Sequence, residues 1–380
     1  MQHKITFLWD NFGPLHIDRI DACARLLEGR YHVSGIEICG ESYAYDWRTG
    51  DEGAFERKTL FSGTNLRSLK FWPFLKALIR TSKGDKGAHY VMCHWNEPAI
   101  FAFACWLRLR GRRVYTMGCS KFDDKPRKLR GEVLKSLMFL PYHGAIGSGK
   151  RSRDYFRFLG VAQTHVVGEY NTVSQDRIRA QAGYGPMTEA TPDEGPAFGE
   201  RDFLCVARLV EKKNLPNLLD AFALYCQSTD RPRQLRFCGS GPLEDMLKAR
   251  AQELGIEPYV SFEGFLQTED ISKLMSKALA LLLPSYEEQF GNVVPEAQSF
   301  GLPVLISDNA GARDRLVLSG KTGFVVEPDN REGMAYFLDQ LASSSDAWRR
   351  LRVAAFEVAP LGDAMRFAEG VEELVDRGKG

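Results

Sequence analysis

The chain has 380 residues, with 50 Lys and Arg against 49 Asp and Glu, 44% hydrophobic residues and 26% charged ones. That composition excludes a disordered, collagen-like or coiled-coil polymer and leaves room for two or three domains that each bury a core without staples. The net charge of +1 averages two unlike halves: residues 1–190 hold 29 basic and 19 acidic residues, and residues 191–380 hold 21 and 30.

Short apolar runs at 5–9, 32–38, 90–93, 114–117, 145–147 and 166–168 predict strands in the first half; runs at 203–207, 235–238, 260–263, 280–283, 304–306 and 324–326 predict strands in the second. Most are continuous rather than alternating, the pattern of parallel strands covered on both faces. Helix-period segments such as 215–227, 243–254 and 269–277 fit between them. The expected fold class is α/β, with two doubly wound domains. Residues 181–200 carry Gly and Pro at seven positions and no apolar periodicity, so they read as a linker. The helical stretch 364–375 follows the last strand and is placed to pack on either domain.

The first ten residues read as a strand rather than a signal peptide. The longest apolar runs, 99–107 and 278–284, fall short of the roughly 20 residues that span a bilayer. Eight cysteines, scattered without a C-x-x-C pair, suggest neither a zinc knuckle nor a disulfide framework and fit a reducing cytoplasm.

The most informative stretch is PSYEEQFGNVVPEA, residues 284–297. A buried strand ends at Pro284, a turn with Gly291 follows, and Pro295 suits the first position of a helix. A strand end, a glycine turn and a helix start together favour an anion. Glu288 and Glu296 flank it, and carboxylates suit the vicinal hydroxyls of a sugar or a ribose. An anion with a diol on each side describes a nucleotide sugar. Cations are available in FLCVARLVEKKN, residues 203–214, at Arg208 and Lys213. A second glycine turn, FCGSGPL at 237–243, places Gly239 and Gly241 where a base or phosphate can approach the backbone.

These motifs resemble, in order and spacing from Phe203 to Asp329, the donor half of the retaining GT-B glycosyltransferases, glycosyltransferase family 4, also called glycosyl transferases group 1. Glu288 and Glu296 match its E-x7-E element, Arg208 to Lys213 its R-L-x-x-x-K element, and Gly239 to Pro242 its G-x-G-P element. GLPV at 301–304 and KTGF at 321–324 match its closing segments. The resemblance implies two Rossmann-like domains facing across a cleft: an acceptor domain over 1–185, a linker over 186–200, a nucleotide-sugar domain over 201–360, and a C-terminal helical segment over 361–380 placed to return to the first domain. It implies that Glu296 holds the ribose and that Glu288, with the backbone of Phe290, Gly291, Asn292 and Val293, holds the sugar and diphosphate. Arg208 and Lys213 neutralise the departing diphosphate, so no cofactor and no metal is implied.

The first half is less similar. WDNFGPLH at 9–16 has Gly13 where many members carry a glycine pair, and TMGCS at 116–120 has Gly118 where some carry a histidine; His16, His94 and Asn96 stand as acceptor-side substitutes, His16 with a catalytic role or as the cap of a helix starting near Ile17. The segment 66–80 places Phe71, Phe74, Leu75, Leu78 and Ile79 on one helical face, which either covers the sheet, the commoner outcome for such a stripe, or lies on an anionic membrane, to which the basic stretches 108–113 and 121–130 add some weight. The expected partners are a nucleotide-sugar donor, UDP- or GDP-linked, a glycan or lipid-linked acceptor, and an anionic membrane surface; nucleic acid is not expected. The setting is cytoplasmic or peripheral on the inner face of a membrane. An epimerase or hydrolase on the same fold, and a non-catalytic sugar-nucleotide-binding subunit, are the competing readings.

Overall fold

The computed structural model describes residues 3–40, 53–84 and 87–377. Its chain divides into two compact units, 1–174 with 364–380, and 175–363. Each is a parallel sheet with helices on both faces, the GT-B pairing of two Rossmann-like domains.

In unit 1 the elements are β1 (His3–Trp9), α1 (Pro14–Leu26), β2 (Tyr31–Cys39), β3 (Glu56–Phe61), α2 (Phe71–Thr81), β4 (His89–Met92), α3 (Pro98–Leu109), β5 (Arg113–Gly118), α4 (Leu129–Leu137), β6 (Gly144–Gly147), α5 (Gly149–Phe158) and β7 (Val166–Val167). The sheet order is β3-β2-β1-β4-β5-β6-β7. In unit 2 they are α6 (Gln175–Gln181), β8 (Phe203–Val206), α7 (Leu215–Gln227), β9 (Leu235–Cys238), α8 (Glu244–Glu253), β10 (Val260–Gly264), α9 (Thr268–Lys277), β11 (Ala280–Leu283), α10 (Val293–Gln298), β12 (Val304–Ser307), β13 (Gly323–Val326), α11 (Arg331–Ser343) and α12 (Ser345–Val358). That sheet runs β10-β9-β8-β11-β12-β13. The last helix, α13 (Ala364–Arg377), belongs to unit 1.

Every strand expected from the sequence is present within two residues at each end. The apolar runs account for this: Leu281, Leu282, Val304, Leu305 and Ile306 are wholly buried, as only strands covered on both faces can be. One strand escaped. β3 is an edge strand, Glu-Arg-Lys-Thr-Leu-Phe, whose charged residues suit a rim exposed to water and hide it from an apolar-run search.

The 186–200 segment, expected as a linker, is instead bound into unit 2. The Arg179 guanidinium, fully buried, pairs with Glu194 at 2.7 Å and donates to Gly185 O at 2.7 Å. Arg201 donates to Glu194 O at 2.7 Å, and Arg352 to the same carbonyl at 3.0 Å. Its Gly and Pro content shapes two short 3-10 turns, Met187–Glu189 and Phe198–Glu200, which buried arginines hold down. The chain leaves unit 1 at Ser174, ahead of the expected boundary at 185, and returns at Ala364.

Unit 1 has a core on each face of its sheet. On one, Phe7, Trp9 and Ile20 meet Phe367, Val371 and Leu374 of α13, so the late helix completes the early domain's core. On the other, Phe74 and Leu78 of α2 meet Phe103 and Leu107 of α3. The 66–80 segment therefore covers the sheet, leaving Phe71 and Trp72 at the start of α2 exposed. No described helix is long and apolar enough to cross a membrane.

Candidate active site

In a doubly wound sheet the crevice lies at the carboxyl ends of the two central strands, where the crossovers diverge. Unit 2 has that point between β8 and β11, and unit 1 between β1 and β4. The candidate residues fall at both.

After β8 the chain passes the exposed Arg208, makes a 3-10 turn over Glu211–Lys213 and enters α7 through Asn214. Asn214 sits in the left-handed region, at φ 58°, a conformation asparagine tolerates better than most residues. Its buried carboxamide donates to Pro284 O at 2.9 Å and also to Pro328 O, so it ties together the loops that follow β8, β11 and β13. Asn217 donates to Asn214 Oδ1 at 2.8 Å and to the Tyr286 hydroxyl at 2.5 Å. The same loops are joined by Glu287 N donating to Lys212 O at 3.2 Å. These ties bring Lys213 Nζ onto Glu288 Oε2, both side chains mostly buried.

Gly239 and Gly241 serve this arrangement from the side. A Cβ on Gly239, at φ 142°, would lie 1.9 Å from Ala207 O, and one on Gly241 would lie 2.4 Å from Leu209 O. The close approach these glycines permit is thus to the chain's own Arg208 loop, held by Leu209 N to Ser240 O at 2.9 Å and Leu243 N to Leu209 O at 3.1 Å. Gly291 turns at φ 102°. The buried Phe290 accepts from Ala312 N at 3.0 Å through its carbonyl. Helix α10 begins at Val293 rather than at Pro295, so Pro295 is its third residue; its missing N–H falls among the first-turn groups that have no intrahelical partner. Half-buried Asn292 caps the helix, Val293 opens it, and Glu296 projects from its first turn.

In unit 1, Asp10 follows β1 and His94 follows β4, and His94 Nε2 lies 3.2 Å from Asp10 Oδ1. His94 is the other non-glycine residue at positive φ, 58°, besides Asn214, among the described residues. Burial alone would raise the Asp10 carboxyl, but the close approach of His94, with His16 nearby, holds it below the ordinary value of 3.8. His16 lies inside the first turn of α1, which begins at Pro14 rather than near Ile17; its ring packs against Trp9 at a tilt of 34°, centroids 5.0 Å apart, and its Nδ1 accepts from Gly13 N at 3.3 Å. Burial, then the Arg19 charge, push the His16 pKa down to about 3, so the imidazole is neutral at pH 7 with its proton on Nε2. Gly13 is the helix cap, and Asn96 is exposed in the turn before α3.

Sequence reasoning missed three groups. Asp10 stood unused inside WDNFGPLH, although an acid at a central strand's carboxyl end is itself a signal. Glu37, 1% exposed, shapes the loop before α1: it accepts from Phe12 N at 2.8 Å, Arg57 at 2.8 Å and Thr59 at 2.6 Å. Asn214 was quoted only as the end of a motif.

The family profile for glycosyl transferases group 1 matches residues 188–358. An uncharacterized glycosyltransferase of Methanocaldococcus jannaschii is 30% identical over 84% of this chain and 70% of its own length. The chain belongs to the group 1 glycosyltransferases. Other curated relatives of this glycosyltransferase match over only 35–40% of their own length. Among solved structures, the lipopolysaccharide outer core galactosyltransferase WaaB aligns over 99% of both chains with a TM-score of 0.72 at 16% identity. Anabaena HepE in complex with UDP and glucose aligns over 99% of this chain and 100% of its own, with a TM-score of 0.71 at 16% identity. These likenesses show the GT-B fold.

Proposed function

We propose that this glycosyltransferase takes its sugar from a nucleoside diphosphate sugar bound to unit 2 and transfers it, with retention of configuration, to a hydroxyl of a glycan or lipid-linked acceptor bound to unit 1. The observation that carries the reading is the meeting of Lys213 and Glu288, 75 residues apart in sequence, at the central strand ends of the second sheet. A diphosphate draws Lys213 from Glu288, which frees the carboxylate to accept from sugar hydroxyls. Arg208 shares the diphosphate charge, and Glu296 accepts from the ribose hydroxyls. The UDP bound to HepE supports a nucleotide of that kind.

In this reading the donor C–O bond breaks as negative charge grows on the diphosphate, and the two cations stabilise that charge in place of a metal ion. Neither Glu288, paired with a lysine, nor Glu296, on the helix, is assigned as a nucleophile. The resemblance to the retaining glycosyltransferases implies that the acceptor hydroxyl attacks on the face the diphosphate leaves and that a phosphate oxygen takes its proton. On unit 1, the neutral His16 and the Asp10–His94 pair offer hydrogen-bond partners to the acceptor hydroxyl. The basic first half suits an acidic or lipid-linked acceptor at an anionic membrane face.

The test is incubation of the purified protein with UDP-, GDP- and ADP-sugars plus acceptors, reading release of nucleoside diphosphate. Lys213→Ala and Glu288→Ala should each lower turnover by roughly a hundredfold or more, the scale of losing one charge-stabilising group, and EDTA should leave it unchanged. Full transfer by both variants would overturn the site.

A further inference from the structure

Helix α4 is turned inside out relative to an ordinary surface helix. Its inward face is charged: Glu132, 7% exposed, receives the Tyr155 hydroxyl at 2.5 Å and pairs with Arg127 at 3.2 Å and Lys135 at 3.4 Å. Arg127 also donates to the Tyr155 hydroxyl at 2.5 Å and to Lys121 O at 2.6 Å, so the network closes on itself. Its outward face is apolar. Leu129, Val133, Leu134 and Leu137, with Leu140 just beyond the helix, are 54–71% exposed and share one stripe by their spacing of three and four. A run of exposed leucines this long on a helix otherwise satisfied by its neighbours marks a surface meant to be covered.

The stripe runs into a cavity of about 430 Å³ at the amino-terminal edge of the same sheet, which Leu137 and Leu140 help to line. Arg108 and Arg113 line it as well, with no carboxylate among the lining residues. So do Tyr142, 6% exposed, whose hydroxyl has no partner among the described residues, and His143. His143 Nδ1 accepts from Val114 N at 3.0 Å, which leaves Nε2–H as a donor. Burial and the two arginines keep that ring neutral, at a pKa of about 4. Two guanidinium groups, a phenol and an imidazole N–H are a donor set for a phosphate.

We propose that this cavity holds the headgroup phosphate of an anionic phospholipid while the leucine face of α4 enters the bilayer beside it. Charge selects a bilayer over a protein partner. Lys125, Lys128 and Arg130 are exposed around the start of α4, and residues 101–150 hold 11 basic against 3 acidic residues. A basic rim at the start of the leucine stripe, with a cationic cavity at its other end, fits a headgroup layer over acyl chains. Phe122 and Phe158, both about half exposed and packed edge to face at 5.3 Å, flank Tyr155 and extend the apolar surface. Helix α4 follows the carboxyl end of β5 and precedes the amino end of β6, so its stripe runs from one edge of the sheet to the other. The site is separate from the proposed transfer chemistry, being formed by residues on the opposite edge of the sheet from Asp10 and His94.

The test uses the full chain, sedimented at low salt with vesicles of phosphatidylglycerol and phosphatidylcholine mixed, or of phosphatidylcholine alone. Wild type should partition preferentially to the phosphatidylglycerol vesicles. Leu137→Asp, at an exposed position that folding does not need, should lower that partition by about tenfold or more. Arg108→Gln with Arg113→Gln should remove most of the preference for phosphatidylglycerol over phosphatidylcholine. Absence of vesicle binding, or unchanged binding by Leu137→Asp, would overturn the proposal. So would thermal stabilisation by free glycerol phosphate without vesicle binding, or a dimer that Leu137→Asp dissociates without vesicle binding. Nucleoside diphosphate release with a soluble acceptor is read in parallel, so that failure of the transfer reading is seen apart from failure of this one.

Discussion

The two units place a crevice at the same topological point and furnish it in different ways. In unit 2 the crevice is shaped by backbone: Gly239 and Gly241 let one loop press on the carbonyls of the next, and Asn214 stitches three loops through main-chain oxygens. In unit 1 it is shaped by side chains, with Glu37 holding the Phe12 amide and His16 holding the Gly13 amide. A backbone-built site is rigid and bears residues that nothing can replace. A side-chain-built site can exchange its hydrogen-bonding groups and carries titratable ones.

The sharpest break of that contrast is Gly239→Ala. With Cβ at 1.9 Å from a carbonyl oxygen and φ at 142°, unit 2 should lose about 4 kcal/mol or its fold, measured by denaturant unfolding. A loss below 1 kcal/mol would mean that the β8 and β9 loops are not locked together.

The same contrast explains what the sequence could reveal. Where backbone geometry demands one residue type, the demand appears as a motif, so Gly239, Gly241 and Gly291 were legible from spacing, and Lys213 and Glu288 each from its own motif, though not their pairing across 75 positions. Asp10 and Glu37 act through partners 84 and 20 positions away, to His94 and Arg57, and no local pattern records such pairings. Edge strand β3 was hidden because charge on a rim strand resembles a loop. For α4 a helical stripe of leucines was readable, but which side faces the core depends on Tyr155 and Arg127 closing over Glu132, a tertiary fact.

Glu37→Ala is the matching break in unit 1. It leaves the Phe12 amide and Arg57 without their acceptor and should cost about 2–3 kcal/mol, with the loss concentrated in hydrogen exchange at Phe12 and Gly13. A loss spread evenly over both units would argue that the loop is held by something else.

A pH titration of stability tests the titratable character of unit 1. His16 is depressed to about 3 when folded and ionises near 6.5 when unfolded, so as pH falls from 6.5 towards 3 the unfolded chain takes a proton that the native one refuses. Stability should fall with pH in that window by up to about 1.4 kcal/mol per unit, and His143, depressed to about 4, adds the same sign down to that pH. Asp10, held below 3.8 when folded, adds the same sign again as pH falls from 3.8, where the unfolded carboxylate protonates first, through its lower native value. His16→Gln, which keeps an acceptor for the Gly13 amide, should flatten the slope; an unchanged slope would assign the acid sensitivity elsewhere.

Helix α13 sets an order of events in time. It supplies Phe367, Val371 and Leu374 to the first unit's core, and its Ala364 amide donates to Val173 O at 2.8 Å, beside the place where the chain left that unit. A ribosome therefore completes all of unit 2 before it delivers the helix that finishes unit 1, a delay on the order of ten to forty seconds at about 5–20 residues per second. The half made first is the half finished last, and in the interval the α1 face of its sheet lacks its cover.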